Sequence, residues 1–158
     1  TKKTMKYLPI GLDVRGRICI VVGAGSVGTR KARNLLRAGA DVRVVAPEAT
    51  DAIRELAATE KLHWSRRAAT VEDVTGAFFV VAASDDPKAN DWVVKEARVR
   101  GVLFCDATEA ERTQVIFGAL HEGSGATLAV FTDGEDPKRA RRTRDRLAEL
   151  EEDWGKDE

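Results

Sequence analysis

The stretch that decides the fold reads Arg17-Ile-Cys-Ile-Val-Val-Gly-Ala-Gly-Ser-Val-Gly28. Its first half, residues 17–22, is a short apolar run typical of a buried parallel strand, and three glycines then follow at the spacing Gly-x-Gly-x-x-Gly. Residues 26–37 place apolar side chains at helical spacing, and Gly39 stands where such a helix would end. A strand, this glycine turn and a helix in that order predict the first unit of a dinucleotide-binding α/β fold.

Further along the chain, strand-like and helix-like segments alternate. The predicted strands cover residues 42–46, 62–65, 77–83 and 102–105, and the predicted helices cover residues 50–58 and 87–100. This alternation favours the α/β class, with a Rossmann-type doubly wound parallel sheet and helices on both of its faces.

After the fifth predicted strand the pattern changes. Two strands are predicted over residues 114–120 and 127–132, joined by a glycine-rich turn. Asp136 and Pro137 supply an N-cap and a first-turn proline for a charged helix over residues 138–152. The parallel sheet is therefore expected to be followed by a short strand pair and a C-terminal helix.

Composition narrows the function classes. The chain of 158 residues carries 26 Lys and Arg and 26 Asp and Glu, so its net charge is zero and a nucleic-acid binder is disfavoured. Its apolar runs are too short to span a bilayer. Cys19 and Cys105 stand inside apolar runs, which favours buried thiols in a reducing compartment such as the cytoplasm. The two histidines, His63 and His121, do not have the spacing of a zinc motif, so we expect no metal site.

Each glycine of the turn has a physical role in a dinucleotide site. Gly23 allows the tight turn, Gly25 lets the backbone approach a pyrophosphate, and Gly28 lets the helix pack closely on the strand. The start of the helix offers free N–H groups and a partial positive charge to the phosphates. The alternative is a Rossmann turn that serves the fold and holds no ligand.

The end of the second strand bears on the choice between NAD and NADP. An acidic residue usually holds the ribose hydroxyls there, but this chain has Ala46 at that place and Glu48 two residues later. No arginine follows directly to bind the 2′-phosphate of NADP, so NAD is favoured. Glu48 as an ordinary solvated turn residue stays an equally open interpretation.

Longer motifs extend the pattern beyond the glycine turn. They are Tyr7-Leu-Pro-Ile10, Arg30-Lys-Ala-Arg33, Leu35-Leu-Arg-Ala-Gly-Ala40, Val44-Val-Ala-Pro-Glu48, Val81-Ala-Ala-Ser-Asp-Asp86 and Asp133-Gly-Glu-Asp-Pro137. Together they resemble the precorrin-2 dehydrogenase module of siroheme synthases, over roughly residues 7–151. The resemblance implies NAD-dependent oxidation of precorrin-2 to sirohydrochlorin, with iron insertion as an additional activity of some members.

The resemblance also implies roles for residues and regions. By position, the cofactor-binding residues would be Gly23, Gly25, Ser26, Val27, Gly28, Pro47, Glu48, Ser84 and Asp85. The NAD-binding Rossmann domain would cover residues 1–112, and residues 113–158 would form the dimerisation region of a homodimer. The small C-terminal helical domain of the family would be absent.

The proton acceptor is where this chain departs from the family. Members carry Asn-Val-x-Asp after the fifth strand, and that last aspartate is their proposed general base, whereas this chain reads Asp106-Ala-Thr-Glu109. The resemblance therefore implies Glu109 as the base, with Asp106 as its substitute. The departure leaves open an NAD-sensing module without turnover, and iron chelation is the weaker interpretation.

The basic residues 138–146 either attract a polycarboxylate tetrapyrrole or form a solvated helix face.

Overall fold

The computed structural model describes residues 4–154, and their contacts form two compact units. Gly11–Val115 forms the first unit, and the segments on either side of it form the second. The strands of the first unit are β1 (Ile18–Val22), β2 (Asp41–Val45), β3 (His63–Ser65), β4 (Phe79–Ala82) and β5 (Leu103–Asp106), and its helices are α1 (Ser26–Arg37), α2 (Asp51–Ala58), α3 (Val71–Thr75) and α4 (Pro87–Arg100).

The five strands form one parallel sheet in the order β3-β2-β1-β4-β5. The chain winds outward from β1 to β3 and then crosses back to β4 on the other side of β1. Such a reversal leaves a crevice outside the carboxyl ends of the two central strands, where open α/β sheets bind their ligands. The predicted Rossmann-type sheet is confirmed.

The core is built from strands that are apolar on both faces. Val21, Val44, Val80 and Val81 are fully buried, as expected for parallel strands covered by helices on each side. Both cysteines are buried free thiols. Burial raises the pKa of the Cys19 thiol to about 11, so this group stays protonated and unreactive at neutral pH.

One predicted strand is shorter than expected, because its first residues bind to the free edge of β5. Residues 114–120 were expected to be a strand, but β6 begins only at Ala119. The Thr113 hydroxyl accepts from the Asp106 N–H (2.8 Å), and the Gln114 side chain accepts from the Phe104 N–H (3.1 Å). The Val115 N–H donates to the Phe104 carbonyl (3.1 Å). This segment therefore satisfies the edge of the parallel sheet instead of extending the hairpin.

The second unit contains the antiparallel pair β6 (Ala119–Glu122) and β7 (Thr127–Val130), the helix α5 (Pro137–Ala148) and a short 3-10 turn (Glu151–Asp153). The predicted N-cap is confirmed, because the Asp136 carboxylate accepts from the Arg139 N–H (2.8 Å). The helix ends earlier than the predicted residue 152. Acidic side chains are unfavourable at a helix C-terminus, and Glu151 instead accepts from the Ser124 N–H (2.6 Å) and lies 2.8 Å from His121 Nε2. Within residues 4–154, no helix is both long enough and apolar enough to cross a membrane.

Candidate dinucleotide site

A cavity of about 750 Å³ lies at the carboxyl ends of the strands in the first unit. Four chain segments line it, namely residues 23–27, 46–50, 83–85 and Thr108. These segments follow β1, β2, β4 and β5, so the cavity occupies the crevice created by the reversal of strand order. Most of the predicted cofactor residues line it together: Gly23, Gly25, Ser26, Val27, Pro47, Glu48, Ser84 and Asp85.

Glycine serves a different purpose at each of the three positions in the turn. Gly23 has φ +109°, and a Cβ there would lie 2.4 Å from the Ala83 carbonyl oxygen. A Cβ on Gly28, which does not line the cavity, would lie 2.1 Å from the Gly23 carbonyl oxygen. Gly25 has an ordinary φ of −80°, and a Cβ there would meet no atom within 4 Å. The fold therefore requires Gly23 and Gly28, whereas Gly25 keeps open a space that the protein itself does not fill.

The N-terminus of α1 carries no charge compensation from its own residues. Its N-cap is Gly25, no side chain caps it, and its first turn contains no acidic residue. Ser26 and Val27, the first two residues of the helix, line the cavity. A helix start of this kind binds anions through backbone N–H groups and the positive end of the helix dipole. The open Gly25 beside it fits the approach of a pyrophosphate.

Two threonines tie the glycine turn to the loop after β2. The Thr29 hydroxyl donates to the Gly25 carbonyl (2.7 Å), and the two hydroxyls of Thr29 and Thr50 are 2.8 Å apart. The Thr50 N–H donates to the Ala24 carbonyl (3.0 Å). These bonds hold the two walls of the cavity in a fixed relation. Sequence reasoning missed both threonines, because neither position shows in the sequence which loop its hydroxyl contacts.

A buried asparagine joins the loops after β4 and β5. Asn90, in the first turns of α4, is 2% exposed, accepts from the Ser84 N–H (3.0 Å) and donates to the Ser84 carbonyl (2.7 Å). Its amide also donates to the Thr108 hydroxyl at 3.4 Å. Sequence reasoning missed Asn90, because a polar residue on a helix gives no sign of the loop that it contacts.

The Asp106 carboxylate is buried and fully engaged. It accepts from the Thr108 N–H (3.0 Å), the Thr108 hydroxyl (2.8 Å) and the Glu109 N–H (3.1 Å), and it also contacts the Arg112 guanidinium. Burial by itself raises the pKa of Asp106, but the hydrogen bonds from Arg112 and Thr108 outweigh it and hold the pKa below the ordinary 3.8. Asp106 therefore shapes the loop after β5 and is poorly suited to accept a proton.

Glu109 has the opposite environment. Its side chain is 61% exposed, and one carboxylate oxygen lies 3.4 Å from Arg112 Nε. The cavity lining reaches the preceding residue, Thr108, and does not include Glu109. Of the two carboxylates predicted to act as the base, Glu109 is the one with accessible oxygens.

Glu48 lies between two arginines. Its Oε1 is 3.3 Å from Arg66 Nη2 and its Oε2 is 3.7 Å from Arg54 Nη2. No arginine follows directly after β2 in the sequence, but two arginines from other elements reach this end of the site. Arg54 lies on α2 and Arg66 directly after β3. The pairing of β3 with β2 brings Arg66 beside Glu48, although the two residues are 18 positions apart in the sequence.

Potential metal ligands form no cluster in the described part of the chain, where no group of three or more His, Cys, Asp and Glu side chains is found. His121, in the second unit, pairs with Glu151 and packs edge-on against Trp154, with ring centres 5.8 Å apart.

Comparisons with known proteins agree with this geometry. The sequence profile of a family described as putative NAD(P)-binding matches residues 10–119. A solved structure titled SirC, precorrin-2 dehydrogenase, superposes with a TM-score of 0.80 at 30% identity, over 90% of this chain and 70% of that one. The chain belongs to the precorrin-2 dehydrogenase family. The resemblance seen in its motifs is thereby confirmed.

Longer relatives share the same region. Siroheme synthase 1 of Serratia proteamaculans is 37% identical over 146 residues, and the siroheme synthase of Chromobacterium violaceum is 38% identical over 148 residues. Each match covers 92% of this chain and 31% of the relative, so the chain spans about a third of the length of these curated relatives.

Proposed function

We propose that this chain oxidises precorrin-2 to sirohydrochlorin in siroheme synthesis, with NAD as the hydride acceptor. The observation that carries the proposal is the cavity at the strand ends, where the open Gly25 and the uncapped start of α1 fit a pyrophosphate. Membership of the precorrin-2 dehydrogenase family supplies the substrate.

The lining residues divide among the parts of the dinucleotide. The backbone N–H groups at Gly25, Ser26 and Val27 would hold the pyrophosphate. Pro47 and Glu48 would lie beside the adenosine ribose. Ser84 and Asp85, in the loop that Asn90 fixes, would lie toward the nicotinamide. When bound, NAD supplies a carbon that accepts hydride from the macrocycle.

The oxidation removes two hydrogens from the macrocycle, one as the hydride and one as a proton. We assign the proton to the Glu109 carboxylate, because its exposed oxygens can gain a proton and release it to solvent. Asp106 acts as a positioning residue. Its bonds to Thr108 and to the Glu109 backbone fix the loop that carries the base.

The second unit is proposed as the dimer contact of a cytoplasmic homodimer. It exposes large apolar side chains that a second copy could cover, namely Met5, Leu8, Ile10, Leu147 and Leu150. Sedimentation of the double variant Leu147→Glu/Leu150→Glu tests this assignment, and a wild-type mass that is already monomeric would refute it.

The proposed activity is tested by incubating the protein with precorrin-2 and NAD under anaerobic conditions. We expect the absorbances of sirohydrochlorin and NADH to rise together and to correspond to equimolar amounts of the two products. Gly25→Val is the matched control, since it removes the pyrophosphate site and leaves Glu109 in place. If the wild-type protein bound NAD tightly but formed no product, it would be a nucleotide-sensing module instead. If the wild-type protein did not bind NAD, the proposal would be refuted altogether.

A further inference from the structure

We infer that the adenosine end of this cavity also accepts a 2′-phosphate, so that the chain binds NADP as well as NAD, with Arg54 and Arg66 as the phosphate ligands. The inference rests on the proposed nucleotide site and adds a charged subsite to it.

The charge balance at this end favours an anion. Glu48 lines the cavity, and it is the only carboxylate whose ion pairs with Arg54 and Arg66 are seen among the described residues. Two guanidinium groups around one carboxylate leave a net positive charge. A phosphate monoester carries close to two negative charges at neutral pH, so it matches the two arginines better than Glu48 does.

Both guanidinium groups are anchored so that their terminal nitrogens stay available. Arg66 Nε donates to the Pro47 carbonyl (3.2 Å), and Arg54 Nε donates to the Ala49 carbonyl (3.1 Å). Both carbonyls belong to the loop that lines the cavity. The Nε atoms are thus occupied by the protein, while the Nη atoms point to the place where Glu48 lies. Arginine bound in this way presents a preorganised donor pair for phosphate oxygens.

An aromatic ring packs beneath the subsite. Arg54 Cζ lies 5.7 Å from the centre of the Trp64 ring, and Trp64 Nε1 donates to the Ala46 carbonyl (3.0 Å). Trp64 therefore supports both the guanidinium group and the end of β2 from which the loop departs.

The carboxylate that now occupies the subsite is easily displaced. The Glu48 side chain is 75% exposed, and its distances to the arginines, 3.3 and 3.7 Å, are long for ion pairs. Exposed ion pairs of this kind contribute little to stability. Glu48 can therefore turn toward solvent when a 2′-phosphate arrives, and its repulsion of NADP is limited.

The test measures binding by titration calorimetry with NAD, NADP and adenosine 2′,5′-bisphosphate, on wild-type protein and on Arg54→Gln, Arg66→Gln and Glu48→Gln. We expect wild-type protein to bind NADP within about tenfold of NAD. Arg54→Gln and Arg66→Gln should each lower the NADP-to-NAD affinity ratio by about tenfold, through loss of a charge-assisted bond, and Glu48→Gln should raise it.

Arg43→Gln is the matched control. Arg43 is an exposed arginine in the middle of β2 and pairs with Asp41 (2.9 Å) at the start of that strand, so we expect the affinity ratio to stay at its wild-type value. NAD binding with no measurable NADP binding to wild type and Glu48→Gln would overturn the inference and leave the proposed function standing. An affinity ratio that Arg54→Gln and Arg66→Gln do not change would also overturn it. If neither nucleotide binds, the proposed function itself fails.

Discussion

Replacing Gly25 with valine separates the needs of the ligand from the needs of the fold. Gly25 has φ −80° and ψ −161°, which is extended backbone that a β-branched residue adopts readily. A Cβ at this position meets no atom within 4 Å. The change replaces a tolerated N-cap residue by an unfavourable one, which costs about 1 kcal/mol of stability. The variant should therefore fold.

The loss in binding should be much larger than the loss in stability. A valine side chain at Gly25 would occupy the space through which a pyrophosphate reaches the backbone at the start of α1. If two charge-assisted hydrogen bonds are lost, at about 1.5–3 kcal/mol each, the total is about 3–6 kcal/mol. At 1.4 kcal/mol per factor of ten, NAD affinity should fall by about 10²–10⁴-fold.

Calorimetric titration of NAD, with the unfolding midpoint measured on the same samples, checks this prediction. Gly11→Val is the control, because Gly11 also meets no atom within 4 Å of an added Cβ but does not line the cavity. Gly28→Ala is the contrasting variant, because its Cβ would lie 2.1 Å from the Gly23 carbonyl oxygen and should destabilise the fold itself. A folded Gly25→Val protein that binds NAD like the wild type would refute the assignment of the site.

Three further predictions concern the loops at the strand ends. Glu109→Gln should keep NAD binding and stability but slow precorrin-2 oxidation by about 10²–10⁴-fold, and an unchanged rate would remove the base from the mechanism. Asp106→Asn should cost about 3 kcal/mol in denaturant unfolding at neutral pH, because it leaves Arg112 without its buried partner. Because the folded pKa of Asp106 is lowered, its stabilising contribution is present above the ordinary value of 3.8 and is lost as the pH falls through the folded pKa, so wild type and Asp106→Asn should converge in stability in acid. Asn90→Ala should weaken NAD binding and raise the mobility of the Ser84 loop in amide hydrogen exchange, whereas wild-type exchange there would contradict its positioning role.

The elements predicted best are those whose signals are local. The helices at residues 26–37 and 87–100 have the predicted bounds, because a glycine turn opens the first and the pair Asp86-Pro87 opens the second. Gly101 ends the latter helix in a left-handed conformation, with φ +66°. Caps and turns depend on a few neighbouring residues, so one sequence carries enough information to locate them.

The short helix α3 was not predicted, although its signal is present. The Asp73 carboxylate accepts from the Thr70 N–H (2.7 Å), which completes a capping box over Thr70-Val-Glu-Asp73. With only five residues, the helix has too few apolar positions to show a helical period. The capping box was therefore the only local signal for this helix, and periodicity alone could not reveal the helix.

Contacts that depend on pairing between distant segments could not be predicted from the sequence. The sequence near Glu48 contains no arginine directly after the strand, and only the placement of β3 beside β2 brings Arg66 there. In the same way, Gln114 has the pattern of a strand residue, but its side chain satisfies the Phe104 N–H at the sheet edge. The partner of each residue is fixed by the order of strands, which local patterns do not encode.

The two carboxylates at the end of β5 and in the loop that follows it show how the same functional group acquires different properties from its surroundings. Three hydrogen bonds and the Arg112 guanidinium occupy the oxygens of Asp106, so its proton affinity is reduced and its position is fixed. Glu109, three residues later, keeps exposed oxygens on a longer side chain whose backbone Asp106 holds. A base must change protonation state during turnover, and a carboxylate whose bonds all require its charge resists that change. In the proposed mechanism these environments suit Asp106 to a structural role and Glu109 to proton transfer, and the extra methylene of Glu109 would extend the reach of the base from the loop that Asp106 holds.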